Sequence, residues 1–355
     1  MADATIVNLF TQLFTSDWIK GKLTVVWHAG EPMVLPIAYY RNAFDLIEGL
    51  RPRDVTVVHD FQTNGTLFDD AWCEFIIERG LRIGLSIDGP RTLHDLNRTT
   101  RSGRGTFDKA IAGARLLRDY SIPFHVITVL TTESMAVPDK MFDFYVSEGI
   151  DKVGFNVEET EGSHASITLK LNDVEGAYYR FLAAFWRRAA AEPDKIKFIR
   201  EIEQAVRRVL RPHEASFSNE LVEPFAVMSV DWAGNVSTFS PELLGQRSTA
   251  YQNFVIGNVN RDKLCDIARS PELQKLSADI AAGVELCRQT CSYFSVCGGG
   301  EPANKLAENG SFISSETRYC RTVKMQPIDL VLDSLDSFGQ GLGTSSGSTS
   351  MNSHG

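Results

Sequence analysis

From residue 23 to about 160, short apolar runs alternate with longer stretches of helical period, and this alternation constrains the chain more than any other feature. Runs that are apolar throughout suit strands covered on both faces, and a helix between successive strands is the connection a parallel sheet needs. The predicted strands are LTVVWH (23–28), DVTVVHDFQT (54–63), LRIGLSID (81–88), PFHVITVL (123–130) and DKVGFNVE (151–158). Helical periodicity predicts helices near 35–50, 68–79, 105–119 and 138–148, with Gly80 and Gly149 at their C-caps. The first three strands run into polar, glycine-containing turns, HAGEP, QTNGT and SIDGP. In a βα barrel the C-terminal strand ends carry the chemistry, so these turns are the expected site.

With 355 residues, 43% of them hydrophobic, the chain can bury a barrel-sized core and an appendage. A net charge of -9 and the absence of a Lys/Arg run argue against nucleic acid or an anionic membrane as partner. No signal peptide and no run of apolar residues long enough to span a bilayer is present, and the expected location is cytoplasmic. Residues 172–211 read as two charged amphipathic helices leading out of the barrel, and residues 226–258 as a hairpin with a D-x-x-G-N turn followed by a loop. The expected organisation is a partial barrel (1–170), a helical connector (171–224), a cysteine-bearing domain (225–335) and a disordered Gly/Ser-rich tail (336–355).

Four of the six cysteines cluster: Cys287, Cys291 and Cys297 are spaced C-x3-C-x5-C, and Cys320 follows in SETRYC. In a reducing compartment such a group binds metal rather than pairing as disulfides, and by count it fits either zinc or a [4Fe-4S] cluster. Neither internal gap is the C-x2-C of a tight zinc turn. The aromatic SYF segment would shield a cluster from water, and CGGG would let backbone N–H groups approach its sulfurs, both of which tune iron-sulfur centres. Cys73 and Cys265, flanked by apolar residues, are expected to be buried core thiols.

WHAGEP, QTNGT, SIDGPRTLHDLNRTTRSGRGTFD and the C-terminal C-x3-C-x5-CGGG…C together resemble the radical S-adenosylmethionine enzymes that carry a SPASM domain. VVWHAGEPMVLP, NVSTFSPELLG and CGGGEPANKLAENGSF resemble, within them, the peptide maturases that build cyclophane crosslinks in ribosomally made, often Gly-rich, precursors. The resemblance covers about residues 5–330. It implies an α/β fold, a partial (β/α)6 TIM-like barrel lacking its first strand, followed by a SPASM domain whose auxiliary [4Fe-4S] cluster is held by Cys287, Cys291, Cys297 and Cys320. The region SVDWAGNVSTFSPELLG has no cysteine, so a second auxiliary cluster is not expected, in keeping with the cyclophane-type rather than the sulfatase-maturing subgroup.

The family's radical-generating cluster is held by C-x3-C-x-x-C after the first barrel strand, and that motif is not among these residues. The resemblance places Met1 in the first barrel helix, ATIVNLFTQLFTSDW, a shortfall of about one βα unit. Two expectations follow. Either Met1 is internal to a longer protein that binds S-adenosylmethionine and a second [4Fe-4S] cluster, receives electrons from a donor and crosslinks a precursor peptide, or the chain is a catalytically inactive peptide-binding relative that keeps the SPASM cluster.

For the cofactor, the resemblance implies that His28, Ala29, Gly30 and Glu31, with Pro32, form the turn that binds the methionine ammonium, Ala29 standing where the family has glycine. Thr63, Asn64 and Gly65 adjoin it. Ser86 and Asp88, two apart and so on one side of a strand, would meet the ribose hydroxyls, and Arg98 would pair with the cofactor carboxylate. Asn156 and Glu158 would line the pocket. Asp231, Glu242 and Glu301 are the candidate bases, with none singled out.

Overall fold

Asp69 accepts from the Trp72 N–H at 2.9 Å to open the Asp70–Arg79 helix, and Gly80, left-handed at φ 63°, closes it. Gly149, at φ 65°, likewise follows the Pro138–Ser147 helix. Helices also span Ile37–Leu50 and Phe107–Asp119, so the four predicted in this half all form. The computed structural model describes residues 1–160, 164–210 and 219–343, with backbone only for 337–343.

Between these helices run parallel strands β1 (Lys22–Trp27), β2 (Thr56–Thr63), β3 (Arg82–Ser86), β4 (Phe124–Leu130), β5 (Lys152–Val157) and β6 (Phe198–Ile199). Their order in the sheet is their order in the chain, the winding of a βα barrel, and no pairing joins β6 back to β1 among the described residues. The fold is mixed α/β with a six-stranded, partial barrel sheet. The strand β6 was not expected: DKIKFIREIEQAVRRVL reads as one helix, whereas the helix begins at Arg200 and the two residues before it pair with Lys152 and Val153. The Val174–Ala191 helix does not lead away from the sheet either; its Tyr178, Phe181 and Phe185 are wholly buried, two of them against Phe155 of β5.

β1 also departs from expectation. It lies at the sheet edge and alternates between exposed and half-buried, with Val26 51% exposed, so an all-apolar sequence here does not mean cover on both faces.

Antiparallel strands β7 (Met228–Val230), β8 (Asn235–Thr238) and β9 (Gly257–Asn258) make a second, small sheet. The D-x-x-G-N turn between the first two is explained by Asp231, whose Oδ1 accepts from the N–H of Ala233 and Asn235. The following segment, expected as a loop, supplies β9. The Pro271–Thr290 helix, which carries Cys287, and the Pro302–Asn309 helix follow, and a final helix, Gln326–Gly343, packs on Arg200–Leu210 and Val174–Ala191. One continuous apolar core runs from Ile6 through the sheet to Phe312, Tyr319 and Leu330. The helix runs to Gly343, past the expected tail boundary at 336; residues 344–355 lie outside the described residues. No helix among the described residues is long and apolar enough to cross a membrane.

Candidate functional site

Glu31 joins the first two strand-end turns. Its Oε1 accepts from Met33 N–H at 3.1 Å and from Thr63 Oγ1 at 2.6 Å, and its Oε2 accepts from Asn64 N–H at 2.8 Å. A carboxylate offers about four lone-pair positions, so one on Oε2 is left for an incoming donor such as an ammonium. The turn behind it is reinforced from both sides. Tyr40 donates to Pro32 O at 2.7 Å, and the Phe107–Asp119 helix sits directly on the Asn64–Gly65 turn, a Cβ at Gly113 falling 2.2 Å from Gly65 O.

His28, Ala29 and Gly30 are exposed at the mouth. Ala29 and Gly30 are both left-handed, at φ 68° and 85°, so the alanine stands in a conformation that suits glycine. Ala29→Gly should raise the unfolding free energy by about 0.5–1 kcal/mol, the relieved left-handed strain outweighing the extra entropy of an unfolded glycine. Urea unfolding of the two proteins checks this; a destabilised variant would mean the alanine methyl makes a contact worth more than the strain.

Ser86 ends β3 and its Oγ accepts from Gln62 Nε2 at 3.0 Å, leaving its own proton for a ligand. Asp88 does not share that strand, as the sequence suggested, because β3 stops at Ser86. It is 5% exposed, and Arg98 binds it in a fork, Nε to Oδ2 at 2.6 Å and Nη2 to Oδ1 at 3.1 Å, while Val129 N–H donates to Oδ1 at 2.9 Å. The two residues assigned to separate parts of the cofactor are therefore paired with each other. Burial is the reason: an ionised carboxylate out of water needs a cation and hydrogen bonds, and Arg98 is the cation in reach. His94, which the sequence analysis passed over, holds this loop in place. Its Nδ1 accepts from Asp88 N–H at 3.3 Å, which leaves Nε2 to donate to Thr106 Oγ1 at 3.1 Å, and Thr106 in turn donates to Arg98 O. Burial lowers the His94 pKa, which keeps the ring neutral as this network requires.

At the end of β5, Asn156 Oδ1 accepts from Arg200 Nη2 at 2.6 Å, and Arg200 also pairs with the adjacent Glu201. Glu158 does not join it. Its carboxylate accepts from Thr168 N–H at 2.9 Å and contacts His164, closing its own loop. A polar pocket of about 200 Å³ opens beside Asn156 and Arg200, and its far wall is Glu301, Tyr319 and Lys324 from the C-terminal region. Of the three candidate bases, Glu301 thus reaches a pocket, where it pairs with Lys324 at 2.6 Å, whereas Asp231 serves its hairpin turn.

Lys324 leads to the cysteines. Cys297 has its pKa held down to about 6 by a hydrogen bond with Cys320, with further help from the Lys324 charge and the Gly299 and Gly300 N–H groups. Cys320 is pushed strongly up by the same bond, then by burial and by the charges of Cys297, Cys291 and Cys287. All four sulfurs are thus close enough to act on one another. The glycines after Cys297 are consecutive left-handed residues, at φ 72°, 110° and 76°, and this turns their N–H groups toward the thiol. No three His, Cys, Asp or Glu among the described residues are placed to hold a single metal ion. An all-sulfur donor set with backbone N–H groups and the Lys305 and Lys324 ammonium groups beside it has the chemistry that would suit an anionic iron-sulfur cluster. Cys73 is buried and inert, burial pushing it up to about 11, but Cys265 is exposed, contrary to expectation: its helix buries Leu264 and Ile267 and turns Cys265 outward.

Comparison with known proteins follows this division. Residues 11–145 match the Radical SAM superfamily. The chain is 37% identical over 328 residues to the uncharacterized protein sll1766 of Synechocystis, covering 91% of this chain and 82% of that one. It is 32% identical over 185 residues to the serine-type anaerobic sulfatase-maturating enzyme of Klebsiella aerogenes, covering 52% of this chain and 45% of that enzyme. Among solved structures, native anSMEcpe with bound AdoMet superposes with a TM-score of 0.76 at 20% identity, covering 96% of this chain and 90% of that one. Streptococcus suis SuiB bound to precursor peptide SuiA superposes with a TM-score of 0.55 at 15% identity, covering 84% and 65%. Nothing in these matches singles out the cyclophane-forming subgroup. The sheet wound in chain order, the strand-end turns gathered at one mouth, and a relative 37% identical over 91% of the chain lead to one conclusion: the chain belongs to the Radical SAM superfamily.

Proposed function

We propose that this chain, in a full-length form that supplies the C-x3-C-x-x-C cluster, serves the radical S-adenosylmethionine-dependent modification of a ribosomally synthesised peptide, joining two of its side chains by a C–C bond, with one auxiliary [4Fe-4S] cluster on Cys287, Cys291, Cys297 and Cys320. The observation that carries this is the pocket at the junction, where Asn156 and Arg200 from the barrel face Glu301, Tyr319 and Lys324 beside the cysteines. Support comes from the relatives: sulfatase-maturating enzymes match in sequence, and solved neighbours hold S-adenosylmethionine and peptides.

S-adenosylmethionine, cleaved by a reduced iron-sulfur cluster, supplies a carbon radical able to abstract hydrogen. This chain's residues bind and orient. The free lone pair of Glu31 would take the methionine ammonium within the turn of His28, Ala29, Gly30 and Asn64. The Ser86 hydroxyl would donate to the ribose, and Arg98, oriented by Asp88 through Nε and Nη2, would have Nη1 left to meet the cofactor carboxylate. Asn156, held by Arg200, lines the side where the peptide enters. The second reading, a peptide-binding relative without radical chemistry, shares the pocket and the cysteine cluster, and residues 1–355 contain no C-x3-C-x-x-C.

Anaerobic incubation of the protein expressed with the in-frame sequence upstream of Met1, together with S-adenosylmethionine, a chemical reductant and Gly-rich precursor peptides, separates the readings by mass spectrometry. A product lighter by two hydrogens, with a new link in its fragmentation pattern, is the expected outcome. Peptide that binds and keeps its mass supports the second reading, and peptide that neither binds nor changes overturns both.

A further inference from the structure

Lys305 is 3% exposed, on the Pro302–Asn309 helix that follows the glycine run. Its Nζ donates to Gly283 O at 2.8 Å and to Cys287 Sγ at 3.2 Å. Among the described residues no carboxylate pairs with it, whereas Lys324, the other lysine beside the cysteines, has Glu301 at 2.6 Å. An ammonium taken out of water is stable only with acceptors and compensating charge close by. A carbonyl oxygen satisfies one of its protons and none of its charge. Its one side-chain partner among the described residues is therefore the Cys287 sulfur, to which it points a proton. The packing keeps the arrangement tight: a Cβ at Gly283 would lie 2.0 Å from Phe312 O, so the helix that carries Cys287 and the segment after the lysine helix meet backbone to backbone.

We infer that Lys305 is a positioning residue that holds the Cys287 sulfur in place as a ligand and sets the reduction potential of the auxiliary cluster. The inference rests on reading the four cysteines as iron-sulfur ligands. Its sign follows from charge. One-electron reduction makes the cluster and its thiolates more negative, so a fixed cation hydrogen-bonded to a ligand sulfur favours the reduced form and raises the potential, hydrogen bonds to sulfur and local charge being two of the levers on such centres.

The test is a dithionite titration, followed by electron paramagnetic resonance, of the anaerobically reconstituted wild-type protein and of Lys305→Met, which keeps the side chain's length and removes its charge. In Lys305→Met the ratio of reduced to oxidised cluster at a given potential should fall at least tenfold, a drop of about 59 mV for one electron, and Lys305→Arg should restore much of it. A full cluster with an unchanged potential in Lys305→Met overturns the inference alone; wild-type protein that takes up neither iron nor sulfide overturns the cluster reading beneath it. If the variants do not fold, wild-type protein labelled with 15N at lysine decides the matter. A 15N coupling to the reduced cluster's spin supports the contact, and its absence overturns it.

Discussion

Replacing Arg98 with alanine is expected to lower the unfolding free energy by about 3 kcal/mol, the low end of the range for removing one partner of a buried ion pair. Asp88 is 5% exposed, so its carboxylate would lose the guanidinium fork and keep only the Val129 N–H at 2.9 Å. The low end applies because the Arg98 side chain is 26% exposed and water can partly replace it. Chemical denaturation gives the number, and a companion variant assigns the cause. Asp88→Asn in the Arg98→Ala background should recover part of the loss, since a neutral amide leaves no buried charge without a partner. A loss below about 1 kcal/mol would place the pair with surface salt bridges and mean that water reaches Asp88 freely. The same variant should weaken S-adenosylmethionine binding, because it removes the guanidinium assigned to the cofactor carboxylate.

Cys291→Ser is expected to abolish the intact four-iron cluster. Cys291 is the suitable position because it is only partly buried, so exchanging sulfur for oxygen perturbs packing least. Iron and acid-labile sulfide per chain after anaerobic reconstitution give the direct readout: four of each in the wild type, and fewer in the variant. Stability is the second readout. A ligand present at about a thousand times its dissociation constant adds roughly 4 kcal/mol to the folded state, so reconstitution should stabilise the wild type by at least that amount and the variant by much less. The apo forms of both should unfold alike. Equal cluster content in the two proteins would remove Cys291 from the ligand set, and zinc without iron or sulfide in the wild type would overturn the iron-sulfur reading.

Five of the six sheet strands were legible because each is a run of apolar residues several positions long, closed by a glycine-containing or polar turn. The sixth was not. Phe198–Ile199 is two residues long and lies within a charged stretch of helical period, so local pattern names a helix, and only pairing with Lys152 and Val153 makes it a strand. Cys265 misled for a related reason: apolar neighbours in sequence do not say which way a short helix turns, and here Leu264 and Ile267 face inward instead. Lys305 gave no signal at all, since a lysine in a polar helix looks solvated until the fold buries it.

What the sequence by itself determined is the set of local instructions: which runs become strands, where glycine ends a helix, and that four cysteines follow one another at ligand-like spacing. Those depend on neighbours within a few positions, through backbone sterics and the periodicity of apolar side chains. The tertiary structure alone decided which charges compensate one another. Asp88 with Arg98 and Glu301 with Lys324 are partners chosen by burial. The cost of an unpaired charge arises only once the chain has folded and excluded water from around it.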